Sequence, residues 1–219
     1  MRHLTVLLAL PLLSVPAAAA DYAPQADTVI AFDVIRGDSP MGTHTIRFER
    51  AGERLTATTE VDLRVRFGPV TFFRYTHEAR EVWDGDRLVS FTSETLKDGN
   101  NLEVQAERSG DSLSIDGMTY DEQPGSLPLP ASVALSSHWR GYDPSATVIF
   151  NTESGQEMEV VIDDLGTETI TVRGEAIEAH HLRMAGSLTV DLWYGPDGQW
   201  VKCEFEARGE TITYVLRDG

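Results

Sequence analysis

The chain carries one cysteine, Cys203, among 219 residues. A lone thiol closes no disulfide within the chain, so stability has to come from packing. Positive charge is scarce as well: 18 Lys and Arg face 35 Asp and Glu, a net charge of −17. A surface of that sign repels phosphate backbones and anionic head groups, and no nucleic acid is expected as a partner. The catalytic signatures readable from sequence are missing too. There is no Gly-x-Ser-x-Gly elbow, no phosphate-cradling glycine loop and no His-Glu-x-x-His. The expectation is therefore a protein that is not an enzyme and needs no cofactor.

Long apolar stretches are confined to Leu4–Val15, which is shorter than the roughly 20 residues needed to span a bilayer. It follows Met1-Arg2-His3 and runs into Pro16 and Ala17–Ala20. A positive start, an apolar centre and a small-residue end predict a secretory signal peptide over 1–20, cleaved after Ala20. The expected location is the periplasm or the exterior. No cysteine follows the cleavage point, so no membrane anchor is expected. Without Arg2, 17 cations face 35 acids and the charge is −18 on 199 residues, the size of one large β-domain.

From residue 28 onward the chain alternates with period two. Leu55, Ala57, Thr59, Val61, Leu63, Val65 and Phe67 share one face; Arg54, Thr56, Thr58, Glu60, Asp62, Arg64 and Arg66 share the other. That is a half-buried strand with one wet face. The same reading predicts strands over 28–36, 42–50, 54–67, 70–83, 87–97, 101–109 and 112–116. A second set is expected over 146–151, 156–164, 168–173, 175–185, 187–194, 199–208 and 210–217. Turn chemistry such as Asp84-Gly85-Asp86 and Pro196-Asp197-Gly198 joins them, which implies an antiparallel meander. The fold class is all-β: 12–14 strands forming a strongly curved sheet or incomplete barrel. Residues 28–116 form a first meander and 146–219 a second, within one domain over 21–219.

Between them, 117–145 breaks the alternation with Pro124, Pro128, Pro130 and Pro144. This reads as a strap sealing one end of the barrel, or as a lid, with a short helix over 131–139. Leu127, Leu129, Val133, Leu135 and Trp139 are its anchors in either case.

Seven residues are candidate ligand contacts: Phe73, Tyr75, His77, Glu81, Trp83, Trp139 and Trp193. Alternation places Phe73, Tyr75, His77, Glu81 and Trp83 on one face of a strand. His77 and Glu81 on an aromatic face are either polar handles in a ligand cavity or a structural lock, and the lock is favoured. Phe67, Phe72 and Phe73, around Gly68-Pro69, either line a barrel mouth, or Phe67 and Phe73 point inward and cap the core and leave Phe72 exposed. His180 and His181 are adjacent on a strand and point to opposite faces, so they share no metal ion, and no metal is expected. Asp84-Gly85-Asp86 and Asp163-Asp164 lack the other ligands of a calcium loop. Cys203, in the alternating stretch between Val201 and Phe205, is an inward small hydrophobe.

Phe32-Asp33-Val34 with Gly42, Glu81-Val82-Trp83-Asp84-Gly85-Asp86-Arg87-Leu88, His138-Trp139 and Asp191-Leu192-Trp193-Tyr194 together resemble a family of exported bacterial domains of unknown function. The resemblance implies an antiparallel sheet curled into an incomplete barrel, similar in shape to periplasmic carriers of lipoproteins and other hydrophobic cargo. It brings no catalytic residues. The expected partner is a lipid or other hydrophobic molecule held in a cavity. The alternatives are an assembly factor that binds an envelope protein, and a hydrolase with a site near the strap.

Overall fold

A computed structural model describes residues 22–67, 70–117 and 129–218. Residues 1–21, 68–69, 118–128 and 219, and with them the expected leader and the expected strap anchor Leu127, lie outside the described residues. The first meander comprises β1 (Val29–Arg36), β2 (Ser39–Ala51), β3 (Arg54–Phe67), β4 (Val70–Asp84), β5 (Arg87–Lys97), β6 (Asn100–Ser109) and β7 (Ser112–Gly117). A small hairpin, β8 (Val148–Phe150) and β9 (Glu157–Glu159), follows the strap. The second meander comprises β10 (Val161–Val172), β11 (Glu175–Ala185), β12 (Thr189–Tyr194), β13 (Trp200–Ala207) and β14 (Glu210–Leu216).

Twelve of these strands form one antiparallel sheet, in the order β10-β11-β12-β13-β14-β1-β2-β3-β4-β5-β6-β7. The last strand pairs with the first, Phe32 opposite Leu216 and Val34 opposite Tyr214, and this seam fuses the two meanders. β7 and β10 remain as edges, so the sheet is strongly extended but not closed into a barrel. No helix occurs among the described residues.

Two sequence expectations need correction. The strands expected over 156–164 and 168–173 divide elsewhere. The break falls at Val160, and β10 then runs unbroken through a bulge at Asp164–Gly166. The helix expected over 131–139 does not form either. Its backbone bonds instead to the sheet, a hairpin turn and β8: Ala131 N–H donates to Asp111 O (2.8 Å), Leu88 N–H to Ala131 O (2.8 Å) and Ser136 N–H to Phe150 O (2.9 Å). These bonds replace the i→i−4 ladder of a helix, and His138 takes φ 66°, outside helical space.

Cross-strand register stacks the inward residues in rows. Phe32, His44, Val61, His77 and Thr95 form one row; Ile30, Ile46, Thr59, Ala79 and Ser93 form the next toward the strap. Beyond these, Phe48, Ala57, Glu81 and Phe91 and then Leu55 and Trp83 are buried against the strap. Trp139 descends from the strap onto Phe48 (centroids 4.9 Å apart) and Trp83 (6.3 Å).

A single carboxylate ties this end together. Glu81 Oε2 accepts from Trp83 Nε1 at 2.8 Å and from Trp139 Nε1 at 3.0 Å, inside a fully buried site. Burial pushes the Glu81 carboxyl above its ordinary value, opposed by the two indoles, Ser137 and Arg140. The Arg140 guanidinium lies 4.2 Å over the Trp83 ring and shields the cluster from outside. Glu81 thus serves as the structural lock, joining β4 to the strap.

Two substitutions test this frame. Gly42 has φ 156°, and a Cβ there would lie 1.9 Å from Asp62 O, so Gly42→Ala should destabilise the fold by at least about 2 kcal/mol in chemical denaturation. At the lock, Glu81→Gln keeps an acceptor for both indoles and should melt within a few degrees of the parent. Glu81→Leu strands two buried N–H groups, each costing about 1–3 kcal/mol.

Candidate functional site

The strap seals only one end. At the other, the hairpin tips surround a cavity of about 830 Å³ that opens to solvent. Its upper wall is apolar: Val61, Leu63, Val65, Phe73 and Tyr75 from β3 and β4, with Phe205, Ile212 and Tyr214 from β13 and β14. Two bulges shape the mouth. Val34 pairs with Gly42 and Ile35 with Pro40, which leaves Met41 as an extra residue on β2. Val65 pairs with Phe73 and Arg66 with Thr71, which leaves Phe72 extra on β4. Both extra residues line the opening, and Phe72 is 64% exposed.

The floor is polar and lies where the first two inward rows meet the strap. His44, Thr59, His77, Ser136, Ser137, His138 and Thr152 line it. Most of these groups are partnered. His77 Nδ1 lies 2.7 Å from Thr95 Oγ1, Ser93 Oγ donates to Thr152 O at 2.6 Å, and Ser136 Oγ is 3.0 Å from Thr152 Oγ1. Tyr142 Oη donates to Leu135 O at 3.0 Å, so its 2.6 Å contact with His138 is accepted from Nδ1–H. Two atoms of the floor differ: His44 Nε2 and Thr59 Oγ1 are buried and have no hydrogen-bond partner among the described residues, a state shared by Glu81 Oε1 in the lock beneath. His44 sits within an aromatic ring set, Phe32 at 6.2 Å, Trp200 at 5.4 Å and Tyr214 at 5.7 Å between centroids.

The three histidines are uncharged at neutral pH. Burial lowers His44 from 6.5 to about 3, with His138 and His77 adding like-charge pressure. It lowers His77 to about 4 against an opposing pull from Glu153, and His138 to about 4. Neutral imidazoles offer a donor on one nitrogen and an acceptor on the other, and they suit a polar but uncharged group. Burial also pushes the Cys203 thiol well up, so this cavity-lining sulfur is inert at neutral pH and acts as the small hydrophobe its alternation implied.

The seven candidate residues separate into three places. Phe73, Tyr75 and His77 line the cavity. Glu81, Trp83 and Trp139 lie beneath it in the sealed end, a correction to their expected role as ligand contacts. Trp193 is on the other face of the sheet from the cavity, and is itself buried there at 6% exposure. It stacks on His181 with centroids 4.3 Å apart, donates Nε1 to Glu168 at 2.7 Å and packs beneath Lys202. The two Trp-hairpin elements are therefore not equivalent, since Trp83 faces in and Trp193 out. His180 and His181 take different carboxylates, Asp164 for the first and Glu168 with Asp191 for the second. Sequence reading missed His44, Thr59 and His138 as cavity residues. A signal existed for the first two, because each interrupts an otherwise apolar inward face.

Acid should expose the buried histidines as a liability. Each is neutral when folded and protonated when unfolded between its lowered value and 6.5. The unfolded state binds more protons there, so stability rises with pH across that window and falls as pH drops from 6.5 toward 4. Each histidine contributes about 1.4 kcal/mol per pH unit at most. Urea midpoints should therefore decline through this range, and more gently in His44→Phe; a flat profile contradicts the burial of these rings.

Comparison with known proteins agrees with this architecture. The crystal structure of a beta-barrel-like protein of the domain of unknown function DUF1849 from Brucella abortus superposes with a TM-score of 0.60, covering 87% of this chain and 95% of that one. Sequence identity is 10%, so the likeness is one of fold. No curated protein matches the chain. The sequence model of the domain of unknown function DUF6134 matches residues 32–217, and the chain accordingly belongs to the DUF6134 family.

Proposed function

We propose that the open end of the sheet binds a hydrophobic small molecule carrying one uncharged polar group, and that the protein does so in the periplasm or outside the cell, where its leader would send it. One observation carries the reading: His44 Nε2 and Thr59 Oγ1, both buried and unpartnered, lie on the wall of an 830 Å³ cavity. Buried polar atoms left unsatisfied cost about 1–3 kcal/mol each, and a ligand that supplies their hydrogen bonds recovers that energy. The volume falls in the range of small-molecule sites, and apolar walls over a few fixed polar groups are their usual chemistry. Burial of the ligand's apolar part supplies affinity; the floor selects its orientation.

A second reading has its own support. The edge strand β10 leaves Val161 63% and Leu165 49% exposed, a surface on which an envelope protein could add a strand. A hydrolase is supported less, since His77 and His138 are engaged with Thr95 and Tyr142.

Native mass spectrometry of protein purified from its own host separates these readings. A co-purifying hydrophobic molecule is expected, and Leu63→Trp, which fills the cavity, should lose it while far-UV circular dichroism is unchanged. Absence of any such molecule across preparations would overturn the cavity reading in favour of the β10 edge.

A further inference from the structure

The charge of the cavity wall opposes that of the protein. In a chain with 35 acids and 18 bases, the charged residues lining the cavity are, among the described residues, Arg36, Arg66, Lys97 and Arg208 against Glu153 alone. Lys97 and Glu153 form a 2.9 Å pair and offset each other. Three guanidiniums remain, and three separate hairpins deliver them: Arg36 ends β1, Arg66 stands one residue before the end of β3, and Arg208 occupies the turn between β13 and β14. Strand register brings these tips to one end, Arg36 lying opposite Ile212 and Val34 opposite Tyr214.

Their existing partners hold them loosely. Arg36, whose side chain is 33% exposed, meets Glu210 at 3.4 Å, and Arg208, 74% exposed, meets Asp98 at 3.5 Å. Such pairs contribute about 0–1 kcal/mol, so a ligand anion competes with them readily. By contrast, Arg183 grips Asp191 on the outer face through two hydrogen bonds of 2.9 and 3.1 Å. Arg208 also lies 5.5 Å over the Phe73 ring, at the boundary between apolar wall and rim.

From floor to rim along β3, Thr59 to Arg66 is seven residues, roughly 23 Å at 3.3 Å per residue. That length accommodates an extended single acyl chain, with apolar wall between a polar floor and a cationic rim. We infer that the ligand of this cavity is a single-chain anionic amphiphile whose carboxylate or phosphate head lies at the mouth among Arg36, Arg66 and Arg208, with its chain running down the apolar wall and the uncharged polar group proposed above carried on the far end of that chain, against His44 and Thr59. This rests on the cavity reading above and adds the sign and position of the head group.

The test uses the chain without its leader and three ligands of equal chain length: laurate, dodecyl phosphate and dodecanol, titrated at neutral pH and read by tryptophan fluorescence, since Trp200 lines the cavity. Both anions should bind at least about tenfold tighter than the alcohol, the difference expected of charge-assisted hydrogen bonds. A preference between them identifies carboxylate or phosphate as the head. The combined variant Arg36→Gln, Arg66→Gln, Arg208→Gln should bring the anions to the level of dodecanol and leave dodecanol itself unchanged. Should that variant fold poorly, added salt on the parent protein provides the same comparison, weakening the anions alone. Equal affinity for acid and alcohol, or an anion advantage indifferent to both the substitutions and salt, would overturn the inference while leaving the cavity reading intact. No binding by any of the three would overturn both.

Discussion

One carboxylate oxygen, Glu81 Oε2, holds the sheet to the segment that closes it, and the depth of the cavity depends on that contact. An open twelve-stranded sheet has no intrinsic floor; it would bury its inward face only by collapsing or by being covered. The strap supplies the cover with Trp139, and Glu81 fixes Trp139 and Trp83 in one orientation. Burying the carboxyl is costly, and two indole donors with the nearby Arg140 offset much of the cost. In return the packed layers end at a defined height, and the inward rows above them stay unfilled.

Those rows carry a gradient of chemistry. Next to the sealed end lie hydroxyls and neutral histidines, then a band of aliphatic and aromatic side chains, then guanidiniums at the hairpin tips. Each level has a distinct physical cause. The histidines are neutral because the surrounding rings exclude water, the middle band is the ordinary inward face of strands, and the arginines sit where strands end and solvent begins.

How much of this was legible in the sequence depended on range. Period-two alternation is a local signal, and it located strands such as 54–67, 87–97 and 175–185 with the bounds the structure shows. It also set Phe73, Tyr75, His77, Glu81 and Trp83 on one face of β4. It did not show that a row separates His77, in the cavity, from Glu81, in the lock, because depth along a strand has meaning only once the strap is in place. The apparent helix over 131–139 misled for a similar reason. Its residues are compatible with a helix in isolation, but Leu88 of β5, Asp111 of the β6–β7 turn and Phe150 of β8 take its backbone hydrogen bonds. Trp193 resembled Trp83 in its neighbours and lies on the opposite side of the sheet, since the face a residue takes is set by pairing and bulges rather than by the turn that follows it.

The sequence by itself determined the class of fold, the order of strands within each meander, the buried state of Cys203 and the acidity of the surface. These rest on side-chain periodicity, turn chemistry and composition, which act between near neighbours or over the whole chain at once. The tertiary structure alone decided that β14 pairs with β1, and that His44, Thr59 and three arginines from distant hairpins share one cavity. Those are contacts between segments far apart in the chain, and they exist only because the sheet curls.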